Sequence, residues 1–178
     1  MRYHGLVRGM ASKDGQDRSL SWAVEATPDG TRISLRGAFD ETSDFSAIDL
    51  SGGGQVVFDT AAVRLINSWG ARQWIRFLRA IPEGVEFCFV NASTVFIKHC
   101  NMVTDMLGRG SIMSFAAPYA CDGCERSSEH LLQVAELSGM VVQQPPQFRC
   151  PDCGGVERLD EMPARYFAFM GVHGAGVS

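Results

Sequence analysis

Four cysteines, Cys121, Cys124, Cys150 and Cys153, carry the clearest chemistry in this sequence: two Cys-x2-Cys pairs with 25 residues between them. Two residues between ligands let one tight turn aim both sulfurs at a single ion, while the amides of that turn stabilise the thiolates. Two such turns complete a tetrahedron with Zn–S distances of about 2.3 Å. Four thiolates leave no open coordination position, so the expected ion is a structural Zn2+ rather than a catalytic one. Gly154 follows the last ligand, where such a turn needs left-handed backbone. Two disulfides or free thiols are the competing reading of the four cysteines, and iron in the same cage competes with zinc. Cys88 and Cys100 sit among apolar neighbours in a predicted strand and helix, and read as core residues rather than reactive thiols.

No other constellation suggests catalysis. His4 and His173 lie near the ends of the chain, and His99 and His130 have no evident motif partner. A nucleophile needs a positioned base, and none can be named, so the chain reads as non-enzymatic. The formal charge is -4, and from Cys121 to Cys153 only Arg126 and Arg149 are basic, against Asp122, Glu125, Glu129, Glu136 and Asp152. That balance is wrong for phosphate contacts, which makes nucleic acid an unfavoured partner. A nucleic-acid-binding zinc ribbon is nonetheless the alternative from a different functional class.

The elements that must position these residues follow from patterning. At 178 residues, 46% hydrophobic and 20% charged, the chain can form one ordinary domain with an appendage, or two small ones. Charges interrupt the N-terminal stretch, so no secretory signal is expected. No run approaches the ~20 apolar residues of a membrane helix. A cytoplasmic setting, with reduced thiols and no membrane insertion, is the expectation.

Residues 1–18 read as a mobile tail. Alternation predicts a strand from Leu20, the turn Pro28-Asp29-Gly30, and a second strand from Arg32 to Gly37. A short helix over Asp40–Asp49 is predicted from Phe45 and Ile48, three apart, before Ser51-Gly52-Gly53-Gly54 breaks the chain. Strands at Gln55–Asp59, Glu86–Val90 and Ser111–Phe115 then alternate with helices at Trp69–Ala80 and Thr94–Leu107. Strands leading into an alternation of this kind predict an α/β fold with one mixed sheet and packed helices. Between the cysteine pairs, Glu129–Leu137 reads as a short helix, and Val156–Leu159 as a strand of a small ribbon. Tyr166, Phe167 and Phe169 are read as packing that ribbon onto the main domain, with a binding site as the other option.

One junction has a second meaning. A buried strand, Val56-Val57-Phe58-Asp59, is followed by a link to Asn67-Ser68-Trp69-Gly70 at the start of a helix. Ser68 suits an N-cap, and a phosphate there would face the positive end of the helix; plain cap and phosphoacceptor both fit the residues. Arg72, Arg76 and Arg79 fall on one side of that helix and Ala71, Trp74, Ile75 and Leu78 on the other. The arginines read either as a solvated face or as a docking surface for an acidic partner.

The junction resembles the signature of STAS domains, the sulfate-transporter and anti-sigma-factor-antagonist family. In that pattern a hydrophobic strand ending in Asp is followed by Asp-Ser-Ser/Thr-Gly opening a helix, and Gly37-Ala38-Phe39-Asp40 is similar to the Gly-x-hydrophobic-Asp after the second strand. The resemblance covers about Leu20 to Pro118. It implies a STAS-like domain over 19–118, which leaves the cysteine-bearing segment 119–170 as a zinc-ribbon-like module and 171–178 as a tail. It further implies a bacterial regulatory binding module whose partner is an anti-sigma-factor or histidine-kinase-like ATPase. Ser68 stands at the phosphorylated position, and Asp40, Asn67, Trp69, Arg72 and Arg76 make up the candidate partner surface. Asn67 stands where Asp is usual and Trp69 where a small residue is usual, which gives weight to an unphosphorylated scaffold subunit as the related alternative. Metal removal is expected to loosen 119–170 and leave the Ser68 domain folded.

Overall fold

The computed structural model describes residues 7–9, 19–50, 54–137 and 141–172. The chain opens with β1 (Val7–Gly9), β2 (Ser21–Thr27) and β3 (Gly30–Phe39), neighbours in antiparallel pairs. In β3 every second residue from Thr31 to Leu35 is buried, the period-2 pattern of a sheet with one covered face. β4 (Gln55–Ile66) lies parallel to β3, with register shifts between Ser34 and Arg36 and between Gly37 and Ala38. The irregular pairing lets one long strand run on to Ile66 and deliver the next helix, α1 (Ser68–Ala80). Then β5 (Phe87–Val90), α2 (Thr94–Met102), a 3-10 turn (Thr104–Leu107) and β6 (Ser111–Ile112) follow. The large sheet has the order β1-β2-β3-β4-β5-β6, with β3 to β6 parallel.

Helices α1 and α2 cover one face of this sheet. Trp74 of α1 is fully buried, its ring 5.3 Å from Phe39, 5.2 Å from Phe45 and 5.5 Å from Phe58, and its indole N–H donates to the Met106 carbonyl at 2.9 Å. Burying a side chain of this size contributes about 1.5–3 kcal/mol, and the indole donor is satisfied at no net loss. As expected, Cys88 and Cys100 belong to the interior: burial raises both thiols, Cys100 the more strongly, which keeps them protonated.

A second, four-stranded sheet contains β7 (Ser114–Cys121), β8 (Ser127–Gln133), β9 (Phe148–Arg149) and β10 (Val156–Leu159) in the antiparallel order β8-β7-β10-β9. β7 joins the two sheets. Its start is held by Ala92 just after β5, with Ala92 N–H donating to the Ser114 carbonyl and Ala116 N–H to the Ala92 carbonyl. Its end carries Cys121. The boundary expected at residue 118 therefore falls inside a continuous strand. Buried residues form one cluster from Leu20 through Phe115 and Tyr119 to Phe169.

The last helices, α3 (Pro163–Tyr166) and α4 (Ala168–Val172), return to the main domain. Tyr166, Phe167 and Phe169 pack on Phe115, with the Phe169 ring 5.0 Å away, and Asn101 of α2 bonds both the Tyr166 carbonyl and the Phe169 amide. The packing role read for these aromatics holds.

Several elements differ from expectation. Asp40–Asp49 is not helical: the Asp40 and Asp44 carboxylates capture the amides of Thr42 and Ser46, making local turns that outcompete a helix, while Phe45 and Ile48 still reach the core. The helix expected over Thr94–Leu107 stops at Met102 and continues only as the 3-10 turn. Glu129–Leu137 is not a helix but most of β8 and a 3-10 turn at Val134–Glu136, because Ser128, His130 and Leu132 face inward at period 2. Within the expected N-terminal tail, Val7–Gly9 is a strand, and the expected C-terminal tail begins inside α4. The readings of 1–6, 10–18, 51–53 and 173–178 lie outside the described residues. Among the described residues no helix is long and apolar enough to cross a membrane.

Candidate metal centre and partner surface

The four cysteines converge. Cys121 lies at the end of β7 and Cys124 in the turn that leads toward β8; Cys150 and Cys153 belong to the turn joining β9 to β10. All four Sγ atoms lie within 4.8 Å of one another, with Cys121 and Cys153 3.4 Å apart and Cys124 and Cys150 3.6 Å apart. None is in a disulfide. The two turns repeat one design. Cys121 N–H donates to Arg126 and Cys150 N–H to Gly155; Glu125 N–H donates to Cys121 and Gly154 N–H to Cys150. Each turn swings into left-handed backbone after its second cysteine, at Glu125 (φ 58°) and Gly154 (φ 72°). Glycine accepts that conformation freely, whereas a residue with a Cβ pays roughly 1–2 kcal/mol for it.

Amides complete the cage, with Gly123 N–H donating to the Cys121 sulfur at 3.3 Å and Gly155 N–H to the Cys153 sulfur at 3.4 Å. The Gly123 amide draws the Cys121 thiol down to about 7. Cys124 goes the other way, to about 12, since the lowering by the Arg126 amide is outweighed by the neighbouring Cys153 and Cys150 sulfurs. Crowded sulfurs resist becoming thiolates together, and a divalent cation relieves that repulsion. Ion pairs flank the site: Arg126 with Asp152 across the two turns, and Arg158 of β10 with Asp122, each at 2.6 Å. A donor set of four sulfurs, two of them accepting from turn amides, fits a structural metal ion such as zinc.

Beneath the centre lies a group that the sequence did not announce. Glu157 of β10 is fully buried, with one carboxylate oxygen 2.6 Å from His130 Nε2 and the other without a partner. The His130 ring stacks on Phe148 at 3.8 Å. Sequence spacing gave no signal for this pair, since 26 residues and a change of strand separate its members.

The residues of the candidate partner surface gather around the β4–α1 junction. Asn67, not Ser68, caps α1: its Oδ1 accepts from Gly70 N–H at 2.8 Å, and its Nδ2 donates to Glu41 at 2.9 Å. An amide serves both partners, whereas a carboxylate would face Glu41 with like charge. Ser68 is exposed in the first turn, and Trp69 and Leu65 beside it are 49% and 51% exposed. Gly70 is buried against the Phe39–Asp40 backbone, so near that a Cβ would stand 2.0 Å from the Phe39 carbonyl carbon and oxygen. This close approach brings Asp40 to the junction, but Asp40 Oδ1 is committed to Thr42. Arg72, Arg76 and Arg79 are exposed on the face opposite Trp74 and Leu78, as patterning predicts, and Arg79 is paired with Asp105. Arg76 also lines a cleft of about 450 Å³ between α1 and the Glu41–Ser46 turns.

No family model, curated protein or solved structure matches the chain.

Proposed function

We propose that this protein is a non-enzymatic, STAS-like regulatory module that docks a protein partner through the β4–α1 junction, with a structural Zn2+ at Cys121, Cys124, Cys150 and Cys153. The observation that carries the docking surface is the exposed Ser68 hydroxyl, left free by the Asn67 cap and flanked by the half-exposed apolar side chains of Leu65 and Trp69. Large apolar side chains beside polar groups are the usual anchors of binding surfaces. The element order from β2 to β6 and the tight Gly70 contact agree with the STAS resemblance. A phosphate on Ser68 would add nearly two negative charges in the middle of that surface and oppose association. The partner in this reading is an anti-sigma-factor or histidine-kinase-like ATPase.

Trp69 supports the scaffold version as a second reading, because a bulky indole beside Ser68 obstructs a kinase while giving an assembly partner an anchor. Nucleic-acid binding is disfavoured further by the ion pairs that occupy Arg126 and Arg158. The test is affinity capture with wild type, Ser68→Ala, Ser68→Asp and Trp69→Ala, with intact mass read for phosphate and metal. Loss of one partner with Ser68→Asp and Trp69→Ala, but not with Ser68→Ala, is expected for the phosphoswitch. Loss with Trp69→Ala alone indicates the scaffold. Equal recovery from all four rules out docking at this surface.

A further inference from the structure

The two sheets end in four edges. Three are closed by very short strands: β1 has three residues, and β6 and β9 have two each. The fourth is β8, seven residues long and outermost beside β7. Its hydrogen-bonding direction follows from the ladder: Cys121 N–H donates to Arg126 and Val134 N–H to Met113. In antiparallel alternation the even-numbered residues of β8 thus face β7. The N–H and C=O groups of Ser127, Glu129, Leu131 and Gln133 point away from the sheet. Among the described residues nothing hydrogen-bonds to them. Natural edges are usually shortened, bulged, or guarded by charges, Lys above all, or by Pro; β8, Ser-Ser-Glu-His-Leu-Leu-Gln, pairs with β7 in unbroken register without Lys or Pro, and its one carboxylate, Glu129, accepts from the Thr94 hydroxyl at 3.1 Å. Leu131 is 53% exposed, and Met113, whose carbonyl bonds Val134, is 47% exposed at the end of the strand.

We propose that β8 pairs antiparallel with β8 of a second copy of this chain, about a twofold axis at Leu131, joining the two small sheets into one. The strand is self-complementary in this register. Leu131 meets Leu131 of the second copy, burying the exposed apolar groups. Glu129 meets the neutral amide of Gln133 rather than another carboxylate. Odd residues oppose odd residues, so the outward backbone groups of each strand find partners in the other. A slip to an axis at His130 would oppose two imidazoles already committed to Glu157 on the covered face, so the Leu131 register is preferred. Such a contact is isologous and closes on itself as a dimer.

The test is the mass of the full, metal-loaded chain by light scattering over a concentration series, with Leu131→Lys, Leu131→Pro and Trp69→Ala beside wild type. Wild type and Trp69→Ala are expected at twice the 19.4 kDa chain mass. Leu131→Lys and Leu131→Pro are expected at the single-chain mass, with the wild-type circular dichroism and metal content of Leu131→Lys showing an intact fold. Should the proline variant unfold, Leu131→Cys supplies an independent readout: a disulfide-linked dimer on mild oxidation, beyond the wild-type background. A wild type that stays monomeric throughout overturns the proposal. So does a dimer that persists in Leu131→Lys, or a wild-type dimer whose Leu131→Cys variant fails to cross-link.

Discussion

Asn67 and Ser68 exchange the roles that their residue types suggest. Both are good caps by type, and only the backbone decides which side chain reaches the Gly70 amide. Asn67→Ala should therefore cost about 1 kcal/mol of stability by denaturant unfolding, while Ser68→Ala should leave the midpoint unchanged. The reverse ranking would show that Ser68 is the cap and that its hydroxyl is not free for a partner. Gly70 makes a sharper point. An added methyl would collide with the Phe39 carbonyl, a backbone group that cannot swing aside, so Gly70→Ala should destabilise by roughly 1–3 kcal/mol. It should also disturb binding at the junction; a wild-type melt would mean that α1 sits farther from β3.

At the scale of elements, the four-cysteine site is two equivalent turns at the ends of strands, clamped by amides and ion pairs. Cys121 is drawn to about 7 by the Gly123 amide, while Cys124 is pushed to about 12 by the adjacent sulfurs despite the Arg126 amide. Near neutral pH Cys124 and Cys153, both raised, hold protons before the metal arrives, so binding must displace them. The sign follows: apparent affinity rises with pH and falls on acidification. Competition titrations with a chromophoric chelator should show weaker zinc binding at mildly acidic than at mildly alkaline pH, with protons released on binding. A pH-independent affinity would mean that the thiolates are preformed. These turns were legible in the sequence because Cys-x2-Cys spacing is local information. The strands β2 and β3, the first part of β4, β5 and the cores of both long helices were legible for the same reason, through alternation, short apolar runs and helical patterning. The failures came where side chains compete with the backbone or where burial decides. Asp40 and Asp44 captured amides that a helix would need. The adjacent Leu131 and Leu132 read as a helical face until the pairing of β8 with β7 sent them to opposite sides. The His130–Glu157 pair left no trace in sequence because only the pairing of three strands creates it.

For the whole molecule, β7 is the decisive element. One end, Phe115, lies in the core with the C-terminal aromatics, and the other, Cys121, belongs to the four-cysteine cluster. The sequence suggested an appendage that could loosen without consequence for the rest. A shared strand and a continuous buried cluster argue otherwise, because losing the small sheet exposes Phe115, Tyr119 and their neighbours to water. Structural zinc contributes about 10–16 kcal/mol in small metal-folded domains, comparable with the ~5–15 kcal/mol stability of a whole domain. Chelation should therefore lower the melting temperature of the entire chain in a single transition by calorimetry. Two separate transitions, with the upper one at the metal-loaded temperature, would show that the Ser68 half folds independently of the cysteine half.

The central claim, that the β4–α1 junction is where this protein meets its partner, is tested most directly by hydrogen–deuterium exchange of the metal-loaded chain alone and in complex with the captured partner. New protection confined to peptides spanning Leu65 to Arg76 and the Asp40–Ser46 turns is the predicted result. Protection centred elsewhere, with the junction exchanging as in the free chain, would contradict it.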